Sequence, residues 1–167
     1  MSNSFSKLSA AIYGISGTSL SAAEKTFFKK VNPVGFILFK RNCETPDQVK
    51  NLNTELRDCV GWHAPILIDQ EGGRVARLGP AHWRKSPAAG IFAAIDEHDH
   101  TKAAKAVYLN ARLIAAELIA LGINVNCAPM ADILFKTSHN IIGDRAFGKN
   151  AKTVTSLAGE MARGLMD

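Results

Sequence analysis

Apolar and polar positions along this chain change period repeatedly, and each change predicts an element. Short continuous apolar runs fit strands, and stretches repeating every three to four residues fit amphipathic helices. Residues 9–15, "SAAIYGI", read as the first strand. Ser21 then stands three residues before Glu24, a spacing at which each side chain satisfies a free amide of the other. That predicts a helix over residues 22–31, stopped by Asn32-Pro33. "GFILF", residues 35–39, is a second strand, apolar enough to be buried on both faces. Thr45, Pro46 and Gln48 start the next helix, with Thr45 as cap and Pro46 in the first helical position. Its Val49, Leu52, Leu56 and Cys59 recur at the spacing of one sheet-facing stripe.

"APILID", residues 64–69, is the third strand. Residues 79–100 are irregular and contain Pro80, Pro87 and Gly90, with a short helix near 91–95. Unstructured segments of this length inside compact domains often carry function. A long helix follows over 101–121, with Val107, Ala111, Ile114, Leu118 and Leu121 on one side and Gly122 as its stop. "INVNCAP", residues 123–129, is the fourth strand. A last helix over 151–166 points Val154, Leu157, Ala158, Met161 and Leu165 inward.

Strands alternating with helices imply an α/β fold with a parallel sheet and right-handed crossovers. Polar clusters follow the strand ends at Lys40-Arg41-Asn42, Asp69–Arg77 and His139–Arg145. Ligands bind at the C-terminal strand ends of such folds, so the three clusters are expected on one rim. Four βα units make about the first half of a (β/α)8 TIM barrel, which takes ~250 residues. An open four-stranded sheet is the other arrangement with this order.

Composition narrows the picture modestly. The 167 residues suit one domain, and 47% hydrophobic with 21% charged residues is an ordinary globular mixture. The net charge of +5 is spread singly or in pairs, without a nucleic-acid-binding signature, so no nucleic-acid partner is expected. Cys43, Cys59 and Cys127 are odd in number and widely spaced, which predicts reduced thiols rather than a disulfide framework or a zinc site. The stretch after Lys7, "LSAAIYGISG", is too short and polar for a secretion signal, and no run approaches the ~20 apolar residues of a membrane span. A cytoplasmic protein without a membrane partner is the expectation.

The richest chemistry lies in "IDQEGGRVARL", residues 68–78. Asp69 and Glu71 could act as a carboxylate pair or pair with Arg74 and Arg77; Asp69, where a dry strand opens, is the better ligand contact. Gly72-Gly73 suits positive φ, close approach of a ligand, or a plain turn. The GK[ST] ending of a phosphate loop is lacking. "DEHDH", residues 96–100, reads as a solvated helix boundary before a metal site, because adjacent residues do not all converge on one ion. Arg145, in "IIGDRAFG", suits an anionic group or an ion pair with Asp144 or a neighbouring loop.

Taken together, "GFILFKRN", "ILIDQEGGRVARL", "INVNCAPMADI" and "IIGDRAFG" resemble, in order and spacing, the family-three glycoside hydrolases, above all their bacterial β-N-acetylglucosaminidase (β-hexosaminidase) branch. The resemblance covers nearly the whole chain. It implies a (β/α)8 barrel and a cytoplasmic enzyme of peptidoglycan recycling. Such an enzyme removes terminal N-acetylglucosamine from anhydromuropeptides by a retaining mechanism, without a cofactor. By motif, Asp69, Arg77 and Arg145 correspond to substrate contacts, and Glu71 and Arg74 to residues that hold the turn behind them. The family's Lys-His-Phe-Pro-Gly-His-Gly segment, with its acid/base histidine, and its aspartate nucleophile have no counterpart in these residues. The chain is therefore expected to be a single partial barrel domain ending after its fourth βα unit and inactive alone, with unpaired edges that favour self-association. A non-catalytic sugar-binding or assembly half-domain is the alternative.

Overall fold

The computed structural model describes residues 8–167, which divide into two compact units. The first comprises the described residues up to Ile68 together with Leu118–Asn126; the second comprises Asp69–Glu117 and Cys127–Asp167.

The first unit is built on a four-stranded parallel sheet. Its strands are β1 (Ser9–Gly14), β2 (Pro33–Leu38), β3 (Ile66–Ile68) and β6 (Val125–Asn126), hydrogen-bonded in that order. Sequential parallel neighbours are the strand order of a (β/α)8 barrel, and the sheet observed here is open. β2 fully buries Phe36 and Leu38 on one face, while Ile37 on the other is half-buried, and Pro33 is tolerated because it is the first residue of the strand.

Helix α1 (Ala22–Val31) begins at the expected capping box and ends at Asn32, whose backbone is left-handed. Helix α2 (Pro46–Val60) is capped by Thr45 and ends at Gly61 with φ of 75°. Val49, Leu52 and Leu56 of α2 are fully buried, and Phe28 of α1 meets Phe36 edge-on with ring centroids 5.0 Å apart. Cys59 departs from the expected stripe: its thiol points to the Lys25 carbonyl of α1, 3.5 Å away.

The Lys40–Asn42 cluster is a single 3-10 turn that ties its own unit together. Buried Asn42 donates to the carbonyls of Ile15 and Gly17, and Arg41 Nε also donates to Ile15. Asn42 and the Nε of Arg41 are thus bound to backbone carbonyls.

The capping box has a pH signature. Burial raises the Glu24 pKa, but hydrogen bonds from the amides and hydroxyls of Ser16 and Ser21 outweigh that and hold it at about 2. A folded pKa below the unfolded value adds stability above the unfolded pKa, and that stability is lost as pH falls from 4.5 towards 2. Glu24→Gln should flatten this part of the acid-unfolding curve, as followed by circular dichroism.

The second unit holds a two-stranded hairpin, β4 (Gln70–Gly72) with β5 (Val75–Ala76), and helices α3 (Ala89–Asp96) and α5 (Ala151–Met166). It also takes helix α4 (His100–Ala120) as far as Glu117. Val107, Ala111 and Ile114 of α4 are buried, as are Val154, Leu157, Ala158 and Met161 of α5. At the end of α5 the inward position falls on Gly164 rather than Leu165. A Cβ on Gly164 would stand 2.5 Å from the Tyr108 carbonyl and 2.8 Å from Ala111 Cβ, so only glycine allows α5 this approach to α4.

Candidate functional site

The site is assembled around the hairpin directly after β3. Along the sequence, burial alternates through Ile66, Ile68, Gln70 and Gly72. Gln70 earns that place by satisfying backbone: Oε1 accepts from the amides of Arg77 (2.8 Å) and Leu78 (3.1 Å), and Nε2 donates to the Leu78 carbonyl (3.0 Å). A buried polar side chain must be so occupied, and here it fixes the register of the hairpin.

Gly72 and Gly73 take φ of 104° and 59°. The close approach their lack of side chains permits is made by the chain itself. A Cβ on Gly72 would lie 2.2 Å from the Pro87 carbonyl oxygen, one on Gly73 would lie 2.5 Å from Ala88 Cβ, and the Gly73 amide donates to the Ser86 carbonyl at 2.9 Å. The long segment after residue 79 thus serves, at residues 86–88, as the bed of the turn.

Between them, Asp69 and Glu71 engage two different arginines. Arg77 Nη2 donates to Asp69 Oδ2 at 2.5 Å, with about a quarter of each side chain exposed. Arg145 makes a two-pronged pair with Glu71, Nε to Oε2 at 2.8 Å and Nη2 to Oε1 at 2.6 Å. Its hydrogen bonds to Glu71 raise the Arg145 pKa against the opposing effect of burial, and the charges of Glu71, Asp132 and Asp69 add to the rise. Paired in this way, both carboxylates are held in fixed orientation.

Arg74 works on the loop that carries Arg145. Its Nε bonds Asp144 Oδ1 at 2.8 Å, and Nη2 donates to the carbonyls of Asn140 (2.9 Å), Ile141 (2.7 Å) and Ile142 (3.2 Å). The Asp69–Arg77 and His139–Arg145 clusters are therefore joined by two arginine ties. Arg74→Ala should cost only about 1 kcal/mol globally, since the pair is half exposed. Amide hydrogen exchange at Ile142, Arg145 and Ala146, measured by NMR, should nevertheless accelerate, while exchange in α5 stays unchanged.

Three participants escaped the sequence reading. Cys127, the first residue after β6, is an exposed residue whose thiol is partly covered. Its pKa is raised by burial first, then by the charge of Asp69 and a hydrogen bond to it. Asp132 acts on Arg145 through its charge, and Gln70 acts through the hairpin backbone. Of these only Gln70 had a usable signal, its place in the alternation. A neighbouring cavity of about 390 Å³, with Gly90, Leu134, Asp144 and Thr153 in its wall, contains none of Asp69, Glu71, Arg77 and Arg145.

Parallel strands in sequential order, with a charged hairpin directly after the third, define the class: an α/β fold with the strand order of a (β/α)8-type domain. The chain belongs to glycosyl hydrolase family 3, whose N terminal domain matches it over residues 8–167.

A β-hexosaminidase of Alkalilimnicola ehrlichii is 34% identical over 160 residues, which are 96% of this chain and 45% of that protein. A β-hexosaminidase of Xylella fastidiosa is 32% identical over 92% of this chain and 45% of its own length. The chain thus spans about half the length of these curated relatives. Among solved structures, NagZ from Neisseria gonorrhoeae in complex with zinc ion superposes with a TM-score of 0.88 at 30% identity, over 94% of this chain and 47% of the other. The same enzyme in complex with N-trifluoroacetyl-D-glucosamine gives 0.86 at 30% identity, over 93% and 46%.

Proposed function

We propose that this chain is the sugar-holding part of a β-N-acetylhexosaminidase that removes terminal N-acetylglucosamine from anhydromuropeptides in peptidoglycan recycling, in the cytoplasm. The observation that carries the reading is the double ion pair, Asp69 with Arg77 and Glu71 with Arg145, on a turn fixed by two glycines. An ionised carboxylate has about four acceptor sites. Arg77 and Cys127 engage the Asp69 carboxylate, which keeps acceptor capacity and a solvent-facing side for sugar hydroxyls. Arg77 and Arg145 shape the sugar site from either side, with Glu71 and Arg74 behind them. Support also comes from the related NagZ, which is solved with an N-acetylglucosamine analogue.

Binding and chemistry separate in this reading. A hydrogen bond to a charged group contributes about 1.5–3 kcal/mol. Set against the loss of translational freedom, a few such contacts give a dissociation constant on the order of 1 mM. A retaining mechanism also needs an acid/base group and a nucleophile, and no residue of this chain takes those parts by motif. In a serine protease, removing the catalytic unit costs about a million-fold in rate, far more than binding contacts alone can restore.

The test uses one sample of the chain, titrated with N-acetylglucosamine by NMR and assayed against a chromogenic N-acetylglucosaminide. Saturable millimolar binding centred on Asp69 with negligible turnover is expected. Absence of binding would remove the sugar site, and turnover at the rate of full-length relatives would show that the chain carries the chemistry itself.

A further inference from the structure

Beside the cavity that holds Asp144 and Thr153 in its wall, α3, α4 and α5 bring together three side chains in the order of a serine-nucleophile triad. Asp96 is the last residue of α3 and His100 the first of α4. Asp96 Oδ1 lies 2.5 Å from His100 Nδ1, and His100 Nε2 lies 3.1 Å from Ser156 Oγ on α5. Thr153, one turn before Ser156, donates its hydroxyl to the second Asp96 oxygen at 3.1 Å. Two residues of one α5 face therefore hold the acid and meet the base.

The bonding pattern sets the proton positions. A carboxylate oxygen at Nδ1 selects the tautomer with its proton there, which leaves the Nε2 lone pair to accept from the Ser156 hydroxyl. This is the relation by which a histidine activates a serine on many unrelated folds. The exposure gradient also fits: the Asp96 side chain is 13% exposed, His100 is 58% exposed, and Ser156 is half-buried.

We propose that Asp96, His100 and Ser156 form an acyl-accepting site, in which Ser156 takes an acyl group from an activated carboxylic ester. Ser156 Oγ attacks the ester carbonyl carbon as His100 Nε2 removes the hydroxyl proton. The bond from that carbon to the leaving oxygen breaks, the alcohol or phenol leaves with the bonding pair, and the proton passes from His100 to the leaving group or to water. Acyl-Ser156 remains.

Ser156 stands in the second turn of α5, where its own amide belongs to the helix ladder. An oxyanion donor contributes about 10²–10³ in rate to serine hydrolases. Lacking that help, the site should acylate slowly and deacylate more slowly, so the acyl-serine accumulates.

The experiment treats the full chain with p-nitrophenyl acetate, follows p-nitrophenolate release, and locates acetyl groups by peptide mass spectrometry, with Lys152 on the same helix as internal reference. A burst approaching one equivalent, with acetyl on Ser156 ahead of Lys152, is expected. Ser156→Ala should abolish that label and leave Lys152 labelling intact. His100→Gln should slow Ser156 acetylation by about 10²-fold or more, the low end of general-base catalysis. Added imidazole should restore the rate in His100→Ala, an effect that a merely structural histidine does not give. Labelling of Ser156 no faster than Lys152 in the unaltered chain would overturn the proposal. So would an unchanged Ser156 rate in folded His100→Gln.

Discussion

Gly72→Ala should be the most damaging single substitution at the turn, lowering stability by about 3 kcal/mol. Two costs combine. A φ of 104° is a region that L side chains rarely adopt, at about 1–3 kcal/mol. The new Cβ would also stand 2.2 Å from the Pro87 carbonyl oxygen, and the obstacle is backbone rather than a movable side-chain tip. Overpacking of this kind costs about 1–3 kcal/mol. Urea unfolding of the full chain should show the loss as a lower midpoint. Gly79→Ala, where an added Cβ meets nothing within 4 Å, should stay within about 0.5 kcal/mol of the unaltered chain. Equal midpoints for the two variants would mean that residues 86–88 do not lie under the turn.

The second large effect concerns binding. Asp69→Ala should weaken N-acetylglucosamine by about 10- to 150-fold, the equivalent of 1.5–3 kcal/mol for contacts to a charged acceptor. The same change removes the partner of Arg77 Nη2, so stability must be measured alongside affinity. The pair is a quarter exposed on each side, which keeps its share of stability to about 1 kcal/mol. Affinity that survives Asp69→Ala in a folded chain would rule Asp69 out as a sugar contact, and the next residue to test would be Arg145.

Helix positions were legible because local chemistry specifies them. Ser21 with Glu24, Thr45 with Pro46, and the apolar stripe of residues 151–166 give the bounds of α1, the start of α2 and the span of α5 as the structure has them. Strand lengths were less legible. Residues 123–129 read as one run, yet the ladder with β3 holds only Val125 and Asn126, with Asn124 bonded to Ile66 through its amide and side-chain oxygen, and Pro129 has no amide to give. The hairpin of β4 and β5 was invisible for a related reason. Its register depends on Gln70 and on the bed at residues 86–88, contacts that no local periodicity encodes. At the site, the charged residues stood out by type and place. Which arginine takes which carboxylate depends on partners about 70 residues apart, Arg145 with Glu71 and Arg74 with Asp144, and only the folded chain decides that.

The hold of Arg74 on residues 140–142 is made entirely through carbonyl oxygens. A clamp that grips backbone is indifferent to the side chains it passes, so substitution can drift freely at Asn140, Ile141 and Ile142 without disturbing Arg145. Spacing has no such freedom. One residue inserted between Ile142 and Arg145 would shift the guanidinium out of register with Glu71, so this loop should tolerate changes of letter and resist changes of length.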